Sequence, residues 1–311
     1  PTSRCAIPTT GQQRSSGRGS EIVDQLLPGS CRSCEGVDPG AAERRDHRAD
    51  RRDRVMTDRL LSLAAGVCPE TGPTDFVTAC ADAGWPACGV WFDAESWTDR
   101  VAADVRQRLD DTGVIALDME PVFVTPDGDH GERVVDAAAV VGARNLLVVS
   151  RGVADDVFAE RFGELCDLAA PHGIGCSLEF MAFMSIPDLP RALGVLDAVD
   201  RPNAGVLIDN LHLARTGGTV GDIEAVDPAR LPYVQLCDAP LARPANLVVE
   251  ALDERLTLGA GELPIVDVVD ALPGHTALSM EIRAAHLRAA FPDPTDRARH
   301  VLATTRAFLE R

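Results

Sequence analysis

The chain has 311 residues, with 48 acidic against 30 basic side chains and a formal net charge of -18. Every basic residue is Arg and there is no Lys, which excludes Schiff-base aldolases, pyridoxal-phosphate enzymes and P-loop nucleotidases, all of which need an amine. Carbonyl chemistry would then need another polarising group, and a metal ion is the obvious substitute. The acidic balance argues against nucleic acid and against anionic membrane surfaces.

In chain order, residues 1–55 hold ten Arg and eight acids, whereas 56–311 hold twenty Arg and forty acids. The first segment is rich in Ser, Gly, Pro and Arg and lacks a sustained apolar period, so it reads as a disordered basic extension outside the functional fold. Its Cys31-x-x-Cys34 pair has no second pair nearby and reads as incidental. Met56 opens a segment that resembles a domain start. No signal segment precedes it and no run approaches the roughly 20 apolar residues of a membrane span. Nine irregularly spaced Cys suit reduced thiols. These features together set the expectation of a cytoplasmic protein.

From Met56 onward, short β-branched apolar runs alternate with longer amphipathic stretches. Strands are predicted at 60–67, 87–92, 114–119, 145–150, 174–179, 204–209, 232–237 and 276–281. Helical patterns fall at 76–83, 97–109, 134–141, 157–169, 189–198, 265–271 and 295–309. Eight strands in 256 residues predict an α/β fold, a (β/α)8 TIM barrel over 56–311. A doubly wound sheet is the alternative, but Cys68-Pro69-Glu70-Thr71-Gly72 after the first strand is no Gly-rich phosphate turn.

Chemistry in such a barrel sits at the C-terminal ends of strands. The fifth strand ends at Glu179 and the sixth at Asp209, with His212 three residues on. The seventh carries Gln235 and Asp238, and the eighth ends at Glu281. Carboxylates brought this close repel one another, and a divalent cation resolves that cost. Oxygen-rich ligation without thiolate suits Mn²⁺, Mg²⁺ or Co²⁺ better than a structural zinc.

The segments Leu178-Glu179-Phe180, Ile208 to His212, Val234 to Asp238, Met280-Glu281-Ile282 and Leu258-Gly-Ala-Gly-Glu-Leu-Pro264 resemble the xylose isomerase-like TIM barrels, in particular their sugar phosphate isomerase/epimerase group. The resemblance implies that Glu179, Asp209, Gln235 and Glu281 are the metal ligands, with Mn²⁺ the expected ion. It implies His212 as a catalytic or substrate-contacting residue beside Glu179 and Glu281. Many epimerases of the superfamily place His where Gln235 stands, and a second Glu where Ser185 stands. It also implies a small carbohydrate-like substrate and a homo-oligomer.

The expected reaction is proton abstraction next to a carbonyl, with one of Glu179 and Glu281 taking the proton and the other returning it. Loss of a β-leaving group instead would make it a dehydratase or lyase, acting for example on a keto-inositol or a 3-oxo-glycoside. Two further alternatives are a multi-zinc endonuclease, which would need more His, and a non-catalytic binding subunit. Arg255, Trp91 and Asp238 are the candidate substrate contacts, although a solvated loop is the plainer reading of Arg255. A salt bridge is expected of Arg151, and Arg215 follows the sixth strand. Glu120 and His130 read as structural. Phe180, Met181, Phe183 and Met184 point either to a less polar substrate or to a packed lid over strand five.

Overall fold

The computed structural model describes residues 59–310. The expected extension over 1–55, its Cys pair and Met56 lie outside them. The strands are β1 (Leu61–Leu63), β2 (Ala87–Trp91), β3 (Ile115–Val124), β4 (Asn145–Ser150), β5 (Gly175–Glu179), β6 (Ala204–Asp209), β7 (Tyr233–Leu236) and β8 (Ala277–Met280). All eight pair in parallel, and β8 closes on β1. The structure is therefore the expected TIM barrel, with a strand in each of the eight predicted runs; β1 is shorter than predicted, ending at Leu63, and β3 longer, running to Val124.

The helices are α1 (Pro73–Ala83), α2 (Asp99–Thr112), α3 (Gly131–Val141), α4 (Asp155–Ala169), α5 (Leu189–Val199), α6 (Asn210–Arg215), α7 (Val220–Glu224), α8 (Leu247–Asp253), α9 (Ile265–Ala271), α10 (Ala285–Ala290) and α11 (Pro294–Leu309). Local chemistry sets their ends. Thr98 caps α2 by accepting from Val101 N, and Asp188 caps α5 by accepting from Arg191 N. Gly113 ends α2 at φ 73°, a conformation open to Gly at little cost. Between these caps, apolar residues at helical spacing turn inward: Ala102, Val105 and Leu109 on α2, and Phe158, Phe162 and Leu165 on α4. Each such fully buried large side chain contributes about 1.5–3 kcal/mol.

The apolar residues form two clusters. The larger lies between helices and strands. The smaller fills the barrel and includes Ala87, Leu117, Leu147, Val149, Leu207, Tyr233 and Ala277. Side chains on a strand alternate faces, so interior Leu207 puts Asp209 inside, Tyr233 puts Gln235 inside, and Ala277 puts Ser279 and Glu281 inside. β3 breaks this rhythm. Its register shifts against β2 at Cys88/Gly89 and against β4 between Met119 and Val122. Among the described residues no helix is long and apolar enough to cross a membrane.

Candidate active site

Four inward residues from β5–β8 converge at the C-terminal mouth. Asp209 is the N-cap of α6, and its Oδ1 accepts from Leu211 N (2.7 Å) and His212 N (3.3 Å). That cap fixes the carboxylate and turns the chain so that His212 returns to the same spot. His212 Nε2 lies 3.8 Å from Glu179 Oε1 and 3.9 Å from Asp209 Oδ2. Arg255 enters from the segment after α8. Its Nη1 donates to Asp209 Oδ2 at 2.6 Å, its Nη2 pairs with Glu281 Oε2 at 3.1 Å, and its Nε donates to Ala251 O at 2.8 Å. All five of these groups are buried.

Gln235 sits between the two glutamates. With its amide nitrogen turned toward them it donates to Glu281 Oε2 (3.2 Å) and Glu179 Oε1 (3.3 Å). With the amide oxygen turned there, three oxygens converge with no donor among them. That is the arrangement a cation resolves, and the hard oxygen donors fit Mn²⁺ or Mg²⁺. Glu179, Asp209 and His212 also each offer an atom within 4.8 Å of the others. The residues present therefore fit a divalent ion.

The electrostatics follow from burial. Glu179 is pushed well above the ordinary carboxylate range by burial, then by the Glu281 and Asp209 charges. Glu281 is raised to about 7, chiefly by burial, with Arg255 opposing. Burial also raises Asp209, but the Arg255 guanidinium and His212 outweigh it and hold the group at about 2. Burial lowers His212 to about 4, so its ring is neutral near pH 7.

Glu120, expected to be structural at the end of the third strand, lies elsewhere on it. In the structure β3 runs on to Val124, and Glu120 is buried inside the mouth. Its Oε1 accepts from Ala65 N at 2.9 Å. Burial and the Asp118 and Glu281 charges raise it well above the usual range. Gly89 makes room: a Cβ there would lie 2.8 Å from Asp118 Oδ1 and 2.9 Å from Glu120 Oε1.

A cavity of about 410 Å³ opens above this floor, lined by Trp91, Glu120, Glu179, His212, Arg255 and Glu281 among others. Asp238 is not part of its lining. Its Oδ2 accepts from Gly259 N and Gly261 N (both 2.9 Å), and its Oδ1 from Leu263 N (3.0 Å) and Ala239 N (2.9 Å). It anchors the Gly-rich turn after α8 instead of facing substrate.

Of the two other arginines, Arg215 makes a buried salt bridge, whereas Arg151, where one was expected, packs on an aromatic ring. Arg215 makes the buried ion pair, with Nε and Nη2 donating to Glu250 at 2.7 and 2.6 Å. Arg151 lies over the Phe123 ring at 4.0 Å and lines the cavity. The segment after Glu179 divides. Phe180 is core, whereas Met181, Phe183 and Met184 face the cavity. Ser185, at the place of the second Glu, accepts from Gly152 N at 2.7 Å and ties the β5 loop to the β4 loop.

Fold and floor together define a closed α/β barrel with its polar cluster at the strand C-termini. The match to the model of the xylose isomerase-like TIM barrel family spans residues 77–308, and the chain belongs to that family. An inosose isomerase from Halalkalibacterium halodurans is 27% identical over 77 residues, 24% of this chain. The chain thus spans about a quarter of the length of the curated relatives it matches, 27% of each. Two solved structures share the fold. One is the IOLI protein with a bound zinc atom, 14% identical with a TM-score of 0.68, covering 80% of this chain and 97% of that one. The other is D-psicose 3-epimerase with D-tagatose from Clostridium cellulolyticum H10, 14% identical with a TM-score of 0.63, covering 81% and 99%.

Proposed function

We propose that this chain is a divalent-metal-dependent isomerase or epimerase that moves a proton on the carbon next to a carbonyl of a sugar or polyol. The observation that carries the reading is the pair Glu179 and Glu281, held within 3.3 Å of one amide atom of Gln235 at the floor of the cavity. Inosose isomerase and D-psicose 3-epimerase, named among the relatives and structural neighbours, support the substrate class.

Glu179, Asp209, Gln235 and Glu281 are the residues that would hold the ion. When bound, it supplies polarisation of the carbonyl and neutralisation of the charge that develops there. Mn²⁺ is the expected ion, with Mg²⁺ and Co²⁺ as runners-up.

One glutamate accepts the proton from carbon, and the other returns a proton from its own side. If Glu179 accepts and Glu281 delivers, a stereocentre inverts. Neutral His212 can hydrogen-bond a substrate oxygen beside Glu179. Arg255 holds Asp209 and Glu281 in place from behind.

The test is solvent deuterium incorporation into a panel of keto sugars and inososes with Mn²⁺ supplied. Incorporation at the carbon next to the carbonyl supports the proposal. Its absence throughout, with metal bound, overturns it. Release of a β-substituent together with proton loss would place the chain among the lyases.

A further inference from the structure

Resting on that reading, we propose that the substrate is amphipathic: a keto sugar or keto polyol bearing an apolar alkyl or aryl substituent, which packs against the cavity wall while its polar end meets the floor.

The argument begins with what the cavity lacks. Its polar lining residues are the carboxylates Glu120, Glu179 and Glu281, His212 and three arginines. No Ser, Thr, Asn, Gln or Tyr is among them. Glu120, Glu179, His212, Arg255 and Glu281 are all at most 8% exposed and belong to the floor. Of the other two arginines, Arg151 lies over Phe123 at 4.0 Å and Arg283 over Trp91 at 5.8 Å. Apart from the Trp91 indole N–H, the rest of the wall is carbon and thioether, including Met181, Phe183, Met184, Val248 and Leu252.

An unsubstituted sugar carries hydroxyls around its whole ring. Those turned toward this wall would lose water and find no side-chain hydroxyl or amide in return, which is unfavourable. An apolar substituent gains by the same contact. The volume of about 410 Å³ lies in the range of roughly 300–1,000 Å³ usual for small-molecule sites. Val248 and Leu252 are four residues apart on α8, so they share a face. They are 41% and 40% exposed, so an apolar group seated against them would remove further carbon surface from water.

The test compares 3-oxo-glucose, whose keto group is not at the anomeric carbon, with its phenyl and octyl 3-oxo-glycosides, which keep that carbonyl free, using the metal-loaded protein. Two readouts are followed: deuterium incorporation, and equilibrium binding by Trp91 emission against a Trp91→Phe control. The expected result is kcat/KM and affinity at least about tenfold higher for the glycosides, since even one methylene in an apolar pocket is worth roughly 10-fold or more. Met184→Ser and Leu252→Ser, both at partly exposed positions, should shrink that ratio toward one. Equal binding of free sugar and glycosides overturns the inference, as does a ratio that neither variant changes. If no ligand exchanges deuterium, the proposed reaction fails, and the binding ratio still decides this inference on its own.

Discussion

The two halves of the barrel divide the labour differently. From β5 to β8, the C-terminal end of each strand delivers one polar residue to the floor: Glu179, Asp209, Gln235 and Glu281. From β1 to β4, the strands deliver Trp91, Phe123, Leu147 and Val149 to the cavity, with Glu120 the one acid of that half in its lining. Under the proposed function the late half would carry the chemistry, while both halves supply apolar wall, the late half through Met181, Phe183, Met184, Val248 and Leu252.

Four outcomes would break or sharpen this contrast. The largest concerns the late half. Glu179→Gln and Glu281→Gln should each lower deuterium exchange by roughly 10²–10⁴-fold, the usual contribution of a positioned acid or base, as measured by NMR. Comparable losses on changing Trp91 or Phe123 would contradict the division.

Next comes the buried pair beneath the wall. Glu250→Ala leaves Arg215 buried and uncompensated, a loss of about 3–5 kcal/mol, read in a urea melt. The exposed Arg299–Asp296 pair (side chains 54% and 62% exposed) should contribute at most about 1 kcal/mol.

Third, Gly89→Ala in the early half should cost about 1–3 kcal/mol through overpacking, because the new methyl would press on Asp118 and Glu120. If stability is unchanged, those carboxylates are looser than the geometry implies.

The fourth test is of pH. Glu281 and Glu179 are raised in the folded chain, so the fold binds more protons there than the unfolded chain does. The metal-free protein should therefore lose stability as pH rises from about 4.5 through about 7. Saturating Mn²⁺ should flatten that slope in thermal melts and release protons on binding. A metal-free protein whose stability rises across this window would reverse the sign assigned to the two glutamates.

The contrast also explains what could be read in advance. In β5–β8 the period-two alternation holds without interruption. A terminal acid after an apolar run therefore falls inside the mouth, and Glu179, Asp209, Gln235 and Glu281 could be picked out together. In β3 the alternation is broken twice, and the strand runs five residues past its predicted end at 119 to Val124. Glu120 thus looked like a boundary residue. One usable signal was Asp118 two residues before it, since two acids with that spacing on an apolar strand share a face. Asp238 follows the seventh strand where a substrate contact is expected, but its oxygens serve the Gly259–Leu263 turn. No local pattern distinguishes Arg215 from Arg151, since their partners Glu250 and Phe123 lie 35 and 28 residues away.

Helix α8 bears on how such proteins diverge. Its inner face is strapped down twice, by Glu250 to Arg215 and by the Ala251 carbonyl to Arg255, which itself holds two floor carboxylates. Its outer face offers Val248 and Leu252 to the cavity with no such ties. Substitutions on the outer face can accumulate over generations while the reaction centre stays intact. Drift at Glu250 or Arg255 would instead disturb the carboxylates themselves. Under the proposed function, Val248 and Leu252 let the cavity wall change without touching the floor carboxylates.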